Sequence, residues 1–458
     1  LLRVYDEFLY PIFEKLNDRT IEDKFTVRHI REQFIHFVEK LAKIGEFEKA
    51  MLLLKKFVND SDPPRDGSDY PDDKDGTFNY HKKLEEGNDE LVITTVRGWC
   101  GQSLANLAVA GNQMGMHEVI KIAKVLSQDP NNYVRYETCI SLIHIATNRR
   151  TYMPGKTKIP FLSTRDSQEV EKIVFDMLHD KRNHKIRAIM KRLVDVFGGM
   201  RSISEDEAMD FLQTILDTKD DEVIDEAIPL FIYFAEFREK DYSSDAIKNV
   251  YPDRWKLIKN FKGSKFKKLL DDLIKNGSTQ IRTRIAWQFW RLPSEQKDNV
   301  EFLKLSLNYF DKLIKTGYDH ETFERIYHFF EEWLDKYSKE CLSLWKKCLD
   351  KEAPAIKEMS KNKADFDRYY WFPFHYNGKI LVKLAEVEGD KEFLKYFEFL
   401  LDYPKETSMP MDTNLAVDHL VEIKTDQKIV ERIFNKLMER NPNFYESKKK
   451  WQLNCKRK

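Results

Sequence analysis

Apolar side chains recur along this chain every three or four residues, which is the spacing of amphipathic helices. The clearest example runs from Asp129 to Ala146, where Asp129 and Asn131 stand at a turn that opens into an apolar stripe. Four segments share the same order of features: a turn, an aliphatic residue followed by arginine, and a helix. The arginines of these segments are Arg97, Arg135, Arg187 and Arg282. This recurrence predicts repeated helical pairs of ~40 residues with occasional insertions.

The same periodicity predicts the remaining helices. They are expected over residues 27–44, 47–58, 91–109, 114–127, 169–178, 185–197, 205–216, 223–237, 266–275, 280–292, 301–315, 323–337, 341–349, 376–387, 391–401, 415–423 and 428–438. Only 16 Gly and 15 Pro interrupt the chain, and Leu, Lys, Glu and Phe are frequent. The predicted fold class is therefore all-α.

The pattern divides the chain into three parts. Residues 1–84 are N-terminal helices with an acidic loop over residues 60–76, which is expected to be mobile. Residues 85–293 hold the repeats that carry the arginine. Over residues 294–458 the arginine pattern stops and bulky aromatic residues become frequent, so degenerate helical repeats are expected there.

The segment that begins at Asp129 reads Asp-Pro-x-x-x-Val-Arg-x-x-x-Cys-x-x-Leu-x-x-Ile-Ala and resembles the second half of a HEAT repeat. This resemblance covers residues 85–293 and implies an α-solenoid of antiparallel helical hairpins. It also implies a structural ladder between neighbouring repeats, formed by Asp129 with Arg135 and by Asp180 with Arg187, or by neighbouring acidic turn residues of adjacent repeats. On this hypothesis, the substitution Arg135→Ala lowers stability modestly.

The length and the net charge of the chain exclude some classes of protein. With 458 residues the chain is too long for a single compact core, which stops growing near ~250–300 residues. Its 77 basic and 77 acidic residues cancel, which predicts no long-range attraction for nucleic acid or for an anionic membrane. The chain lacks an apolar run of the ~18 residues that a membrane helix needs. Five scattered cysteines favour reduced thiols in a cytoplasmic protein.

The sequence contains no recognisable catalytic, metal or cofactor motif. The His-Glu pairs at His117 and His320 lack the second His of a zinc protease helix. Gly155-Lys156-Thr157 lacks the earlier glycine and the following helix of a phosphate-binding loop. The acidic loop lacks the bidentate Glu of a calcium-binding loop. We therefore expect no catalytic residue, no metal site and no cofactor.

A binding surface is the better functional hypothesis. In stacked hairpins the second helices line a concave face, and such faces bind extended partners. The positions predicted on that face are Trp99, Gln102, Glu137, His144, Arg284, Trp287 and Arg291. An alternative is that Trp99 and Trp287 pack against the next hairpin and do not face a partner.

These patterns predict a non-enzymatic scaffold or sensor that binds a protein or peptide. Because the chain begins with Leu1 and not with Met, it is expected to be part of a longer protein. Signalling or defence is the expected setting by analogy, since helical repeats of this kind often follow an ATPase core in such proteins. The rival hypothesis is a nucleic-acid-binding or DNA-repair protein, in which Arg284, Trp287 and Arg291 join Arg187 and Lys191 in a phosphate track with a stacking platform.

Overall fold

The computed structural model describes residues 35–62, 84–87, 95–147, 163–200, 203–237, 263–295, 300–361, 377–403 and 413–456, together with Arg3 and Glu7. Within these ranges the regular secondary structure is helical and no strand occurs, which confirms the all-α fold class. Most of the predicted acidic loop 60–76 lies outside the described residues, as do residues 27–34 of the first predicted helix.

The chain forms two compact units, Leu1–Lys267 and Lys268–Lys458. Helical residues 35–43 precede the labelled helices of the first unit. These are α1 (Phe47–Phe57), α2 (Val96–Ala110), α3 (Asn112–Leu126), α4 (Asn132–Thr147), α5 (Thr164–His179), α6 (Arg187–Gly199), α7 (Glu205–Asp217) and α8 (Asp221–Ile232). A π-helical turn, Tyr233–Phe237, follows α8.

Helix α9 (Ser264–Asn276) contains the boundary between the units. The second unit continues with α10 (Thr279–Glu295), α11 (Val300–Thr316), α12 (His320–Trp333), α13 (Ser338–Met359), α14 (Asn377–Glu388), α15 (Asp390–Leu401), α16 (Thr413–Glu422), α17 (Gln427–Arg440) and α18 (Tyr445–Lys456).

Helices of each unit pack in the order of the chain. Most helices contact the helix that follows, and many also contact the helix two positions further on. In the first unit the even-numbered helices contact one another in the series α2–α4–α6–α8. In the second unit the corresponding contacts are α10–α12 and α14–α16–α18. This order is compatible with a helical repeat fold.

Local sequence signals explain where several helices begin. Ser204 caps α7 by accepting a hydrogen bond from the Glu207 backbone, while the Glu207 carboxylate accepts one from the Ser204 backbone. Asp220 caps α8, and Asp319 caps α12. Each side chain satisfies amide groups that the first helical turn leaves without a partner.

The long helix α13 differs from its prediction. A helix was predicted over residues 341–349, but α13 continues to Met359 and includes Pro354. Proline removes one backbone hydrogen bond and usually ends a helix, so its presence obscured the continuation. Burial of Glu352 and Ile356 on the same helix shows that packing stabilises the later turns.

Aromatic residues fill the core of the second unit, as their frequency in the sequence suggested. Phe289 stacks on Tyr309 with ring centroids 4.1 Å apart. The aromatic side chains of Phe329, Phe330 and Trp345 are completely buried. Rings of this size close the gaps between helices of unequal length. The aromatic run at residues 369–374 lies outside the described residues.

A carboxyl group is also buried in this core. Glu352 on α13 is 0% exposed, and the Tyr327 hydroxyl donates a 2.7 Å hydrogen bond to its Oε2. Burial disfavours the charged form and raises the pKa of Glu352 to about 8, against the smaller opposing effect of the Tyr327 hydrogen bond. Glu352 is therefore mainly neutral at pH 7.

No helix in the described part of the chain is both long and apolar enough to cross a membrane.

The buried acid predicts a pH-dependent stability. The folded pKa of Glu352 is about 8 and its ordinary value is 4.5, so the folded state holds a proton that the unfolded state releases between these values. The free energy of unfolding therefore falls as pH rises through this interval, by about 1.4 kcal/mol per pH unit at most for this one proton. In the variant Glu352→Gln this contribution disappears.

Urea unfolding of the wild type and of Glu352→Gln, repeated between pH 5 and pH 8.5, measures the effect. The variant is expected to gain stability relative to the wild type as pH rises. Parallel curves for the two proteins would mean that Glu352 keeps an ordinary pKa.

Candidate functional site

An arginine on one even-numbered helix reaches the turn before the next even-numbered helix. Arg97 on α2 donates from Nε to Asp129 Oδ2 at 2.7 Å and from Nη2 to Asp129 Oδ1 at 3.1 Å. Both side chains are buried. This is a bidentate ion pair, the geometry in which arginine binds carboxylates most strongly. It joins α2 to the turn that opens α4.

The second contact of this kind uses an amide as the acceptor. Arg135 on α4 is completely buried and donates from Nε to the side-chain carbonyl of Asn183 at 2.8 Å. Its Nη1 donates to the backbone carbonyls of Asp129 and Pro130. Burial lowers the pKa of Arg135 to about 10, which still leaves the guanidinium protonated at neutral pH.

The same contact recurs twice more with carboxylates. Arg187 on α6 donates from Nε to Asp220 at 2.8 Å, and Arg282 on α10 donates from Nε to Asp319 at 3.2 Å. Asp220 and Asp319 are also the residues that cap α8 and α12. One side chain thus begins a helix and binds the arginine of the preceding even-numbered helix.

These partners differ from the expected pairs Asp129–Arg135 and Asp180–Arg187, although Asp220 is an acidic turn residue of the kind expected as the alternative partner of Arg187. The Asp129 carboxylate binds Arg97, and Arg135 contacts the backbone carbonyl of Asp129. Asp180 binds Arg182 within its own turn. The physical reason is the length of the arginine side chain. Its guanidinium extends to the turn before the following even-numbered helix and not to the acid in the turn before its own helix.

Helices α2 and α4 approach each other closely at two glycines of α2. A side-chain carbon at Gly98 would lie 2.8 Å from the ring of Tyr133, and one at Gly101 would lie 3.0 Å from the hydroxyl of Thr138. The Ser141 hydroxyl donates to the Gly101 carbonyl at 2.6 Å. This close approach buries Ser141 between the two helices.

The residues predicted on the binding face of the first unit occupy different environments. Gln102 is exposed, whereas Trp99 and His144 are half-buried. The Trp99 ring meets the ring of His36 edge-on, with centroids 4.5 Å apart. Glu137 is 5% exposed, and burial raises its pKa to about 7. The face near Glu137 is therefore covered, not an open groove.

The burial of Glu137 was missed because polar residues were assigned to the open face. The spacing of Gly98 and Gly101 on α2 was the signal that could have revealed it. Two small residues one turn apart allow a neighbouring backbone to approach closely. A carboxylate opposite such a surface loses contact with water.

The predicted site of the second unit lies on α10. Ile281, Ile285, Phe289 and Leu292 form the buried stripe of this helix, as the periodicity predicted. On the other side, Trp287 is half-buried, and the guanidinium carbons of Arg284 and Arg291 each lie 4.6 Å from its ring centroid. These are cation–π contacts, which order the indole and both arginines.

The structure thus brings together Arg284, Trp287 and Arg291 on one helix of the second unit. Trp99, Gln102, Glu137 and His144 belong to α2 and α4 of the first unit. Of the seven predicted positions, four thus belong to the first unit and three to the second. Within the described ranges, no group of three or more His, Cys, Asp or Glu side chains is arranged to hold a metal ion.

The burial of the arginine contacts predicts how much stability is lost when each arginine is replaced by alanine. Substituting Arg97→Ala leaves the buried Asp129 carboxylate without its guanidinium, which typically costs about 3–5 kcal/mol. The Arg187–Asp220 pair is partly exposed to solvent, so Arg187→Ala should cost less than about 1 kcal/mol. Because Arg135 is completely buried, its loss should exceed the modest effect expected from the sequence. Denaturant unfolding of the three variants measures this order, and equal losses would contradict it.

Comparison with protein-family models finds no family that matches this chain. A search of curated proteins finds no match either. The function must therefore be inferred from the contacts described above.

Proposed function

We propose that this chain is a non-enzymatic HEAT-like α-solenoid that binds a protein or peptide partner on the face of its even-numbered helices. Contacts between helices two positions apart support the stacking of antiparallel hairpins. The recurring arginine contacts support the HEAT type, since each joins one even-numbered helix to the turn before the next. The chain acts as a scaffold or sensor within this proposal.

The arrangement around Trp287 is the observation that carries the proposal. A half-buried indole lies between two arginines of the same helix, with both guanidinium carbons 4.6 Å from the ring centroid. Trp and Arg are the residues most enriched where interfaces gain their binding energy. Because the cation–π contacts already order these side chains, a partner loses less conformational entropy on binding them.

The composition of this cluster indicates the chemistry of the partner. Two cationic groups beside an aromatic ring favour a peptide that presents a carboxylate next to an apolar or aromatic side chain. The apolar group would cover the indole, and the carboxylate would accept hydrogen bonds from the guanidinium groups. An acidic peptide segment therefore suits this surface best.

The nucleic-acid alternative receives less support from the contacts. It required Arg187 and Lys191 to contact phosphates, but both side chains bind Glu222, at 3.0 Å and 2.8 Å. Arg187 also binds Asp220. Acidic partners of this kind neutralise the cations and repel a phosphate backbone. We therefore retain the peptide hypothesis as the main proposal.

Peptide selection on the whole chain tests the proposal. A phage-displayed library of random dodecapeptides is selected on the wild type, and the affinity of enriched peptides is measured by fluorescence polarisation. Trp287→Ala is expected to weaken these peptides by about 1–3 kcal/mol, or roughly ten- to hundredfold, as hot-spot truncations do. Because Trp287 is only half-buried, the stability loss should stay below the ~3–5 kcal/mol of a core aromatic.

Trp290 provides a matched control on the same helix. It is also half-buried, but its ring stacks on His328 of α12 with centroids 5.5 Å apart. Because the role of Trp290 is packing, Trp290→Ala should lower the unfolding temperature. The affinity of the selected peptides should stay within about twofold of the wild-type value. If Trp287→Ala behaves like Trp290→Ala in both measurements, Trp287 is a packing residue and the proposed site is wrong.

Anisotropy measurements with labelled DNA test the alternative. A 30-nucleotide single strand and a 20-base-pair duplex are titrated with the chain at 20 mM and 200 mM NaCl. The peptide proposal predicts no binding to either DNA at low salt. Tight binding that falls steeply with salt, and that Trp287→Ala abolishes, would favour the nucleic-acid function.

A further inference from the structure

Helices α10 and α12 of the second unit lie side by side and run in the same direction. Near the start of both helices, the hydroxyl oxygens of Thr283 and Thr322 lie 3.3 Å apart. About two turns later, the ring of Trp290 stacks on the ring of His328 with centroids 5.5 Å apart. The two contacts advance together along both helices, so the residues between them also face one another.

Arg325 lies on α12 at the level of Trp287 on α10. Trp287 follows the first contact residue of α10 by four positions and precedes the second by three. Arg325 lies three positions from each contact residue of α12. Residues three and four apart share one face of a helix, so Trp287 and Arg325 belong to the facing sides of neighbouring helices. The basic and aromatic cluster on α10 therefore has a third arginine beside it.

The guanidinium of Arg325 has no counter-ion in the described part of the chain. The side chain is half-buried, and its Nε is shielded from water without a hydrogen-bond acceptor there. The carboxylates of Glu324 and Glu331 on the same helix lie against His328, at 3.8 Å and 3.7 Å. Arg282 on α10, by contrast, binds the Asp319 carboxylate. A cation that is withdrawn from water without an anion is destabilising, so Arg325 gains from an anion that a partner supplies.

We propose that Arg325 is the anion-binding residue of the Trp287 site and that it binds a carboxylate of the partner peptide. This inference rests on the proposed function, in which a peptide covers the indole of Trp287. A guanidinium donates two parallel hydrogen bonds to one carboxylate, and the buried Nε of Arg325 supplies one of the two donors. The carboxylate on α12 would then lie next to the apolar group on α10.

The three arginines have different tasks in this arrangement. Arg284 and Arg291 lie over the ring of Trp287, each with its guanidinium carbon 4.6 Å from the centroid, and they order the indole. Arg325 approaches from the neighbouring helix and fixes the position of the acidic group. The site is thus specific for the spacing between an apolar side chain and an acid.

The charges on α12 favour a carboxylate over a phosphate. Glu321 and Glu331 are exposed on the same helix as Arg325, and Glu324 is half-buried beside it. A phosphate group carries nearly two negative charges at neutral pH, so neighbouring carboxylates repel it more strongly than they repel a single carboxylate. A side-chain or terminal carboxylate of a peptide is therefore the anion that suits Arg325.

Thermal unfolding of two matched variants separates this role from a structural one. Arg325→Met keeps most of the apolar stem and removes a charge without a counter-ion, so the unfolding temperature should stay the same or rise. Arg282→Met removes a guanidinium that binds Asp319 and the Gly277 carbonyl, and it should lower the unfolding temperature. An equal decrease in both variants would show that Arg325 is a structural residue and would overturn the proposal.

Anion binding is measured by nuclear magnetic resonance of the arginine Nε–Hε groups in the deuterated, nitrogen-15-labelled whole chain. The signal that is lost in Arg325→Met identifies Arg325. Sodium acetate, titrated at constant ionic strength with sodium chloride, should shift this signal saturably and leave the signal of Arg282 in place. The absence of a saturable shift at Arg325 would overturn the proposal. A shift with sodium phosphate alone would contradict the assignment to a carboxylate.

A double-mutant cycle then connects the anion site to the peptide. In the peptides selected on the wild type, each acidic residue is replaced in turn by its amide. Arg325→Met should weaken the parent peptide roughly ten- to hundredfold, as the loss of a hydrogen bond to a charged group does. For one amide-substituted peptide, the same variant should change the affinity by less than about twofold. Additive losses for every peptide would contradict contact with Arg325.

The two proposals fail in different ways. If no selected peptide depends on Trp287, the proposed function is wrong, whereas the acetate titration still reports whether Arg325 binds a carboxylate. If Trp287→Ala weakens the peptides and Arg325→Met does not, the peptide site stands and the role of Arg325 is wrong.

Discussion

The reach of a guanidinium from one even-numbered helix to the turn before the next is the contact that recurs along the packing of the first unit. In the first unit it joins α2 to α4, α4 to α6 and α6 to α8. Because Asp220 also caps its helix, a single side chain fixes where α8 begins and how it sits against α6. Helix ends and helix packing are therefore set together, and neither can shift without the other.

Much of this could be predicted from the sequence, and the limits have physical causes. Periodicity located the helices because each buries one apolar stripe, as on α10. The arginines were found because they recur at one position. Their partners were not, since the sequence does not tell which neighbouring turn a flexible side chain reaches. Asn183 was missed because an amide took the place of the expected acid.

The residues of the candidate sites likewise include some contacts that the sequence predicts and others that it does not. The grouping of Arg284, Trp287 and Arg291 could be predicted because residues three and four apart lie on the same face of a helix. The burial of Glu137 was missed, because it depends on how closely α4 approaches Gly98 and Gly101 of α2, and that spacing was not used as a signal. Arg187 also donates a hydrogen bond to the backbone carbonyl of Glu86, and these residues are too far apart in the sequence for a local pattern to connect them.

The burial of the ladder arginines differs along the first unit, and this has a mechanical consequence. Arg97 and Arg135 are shielded from water, whereas the side chain of Arg187 is 28% exposed. Dissolved ions screen exposed charges strongly and buried charges little. Rising ionic strength should therefore soften the joint between α6 and α8 while the joint between α2 and α4 stays stiff.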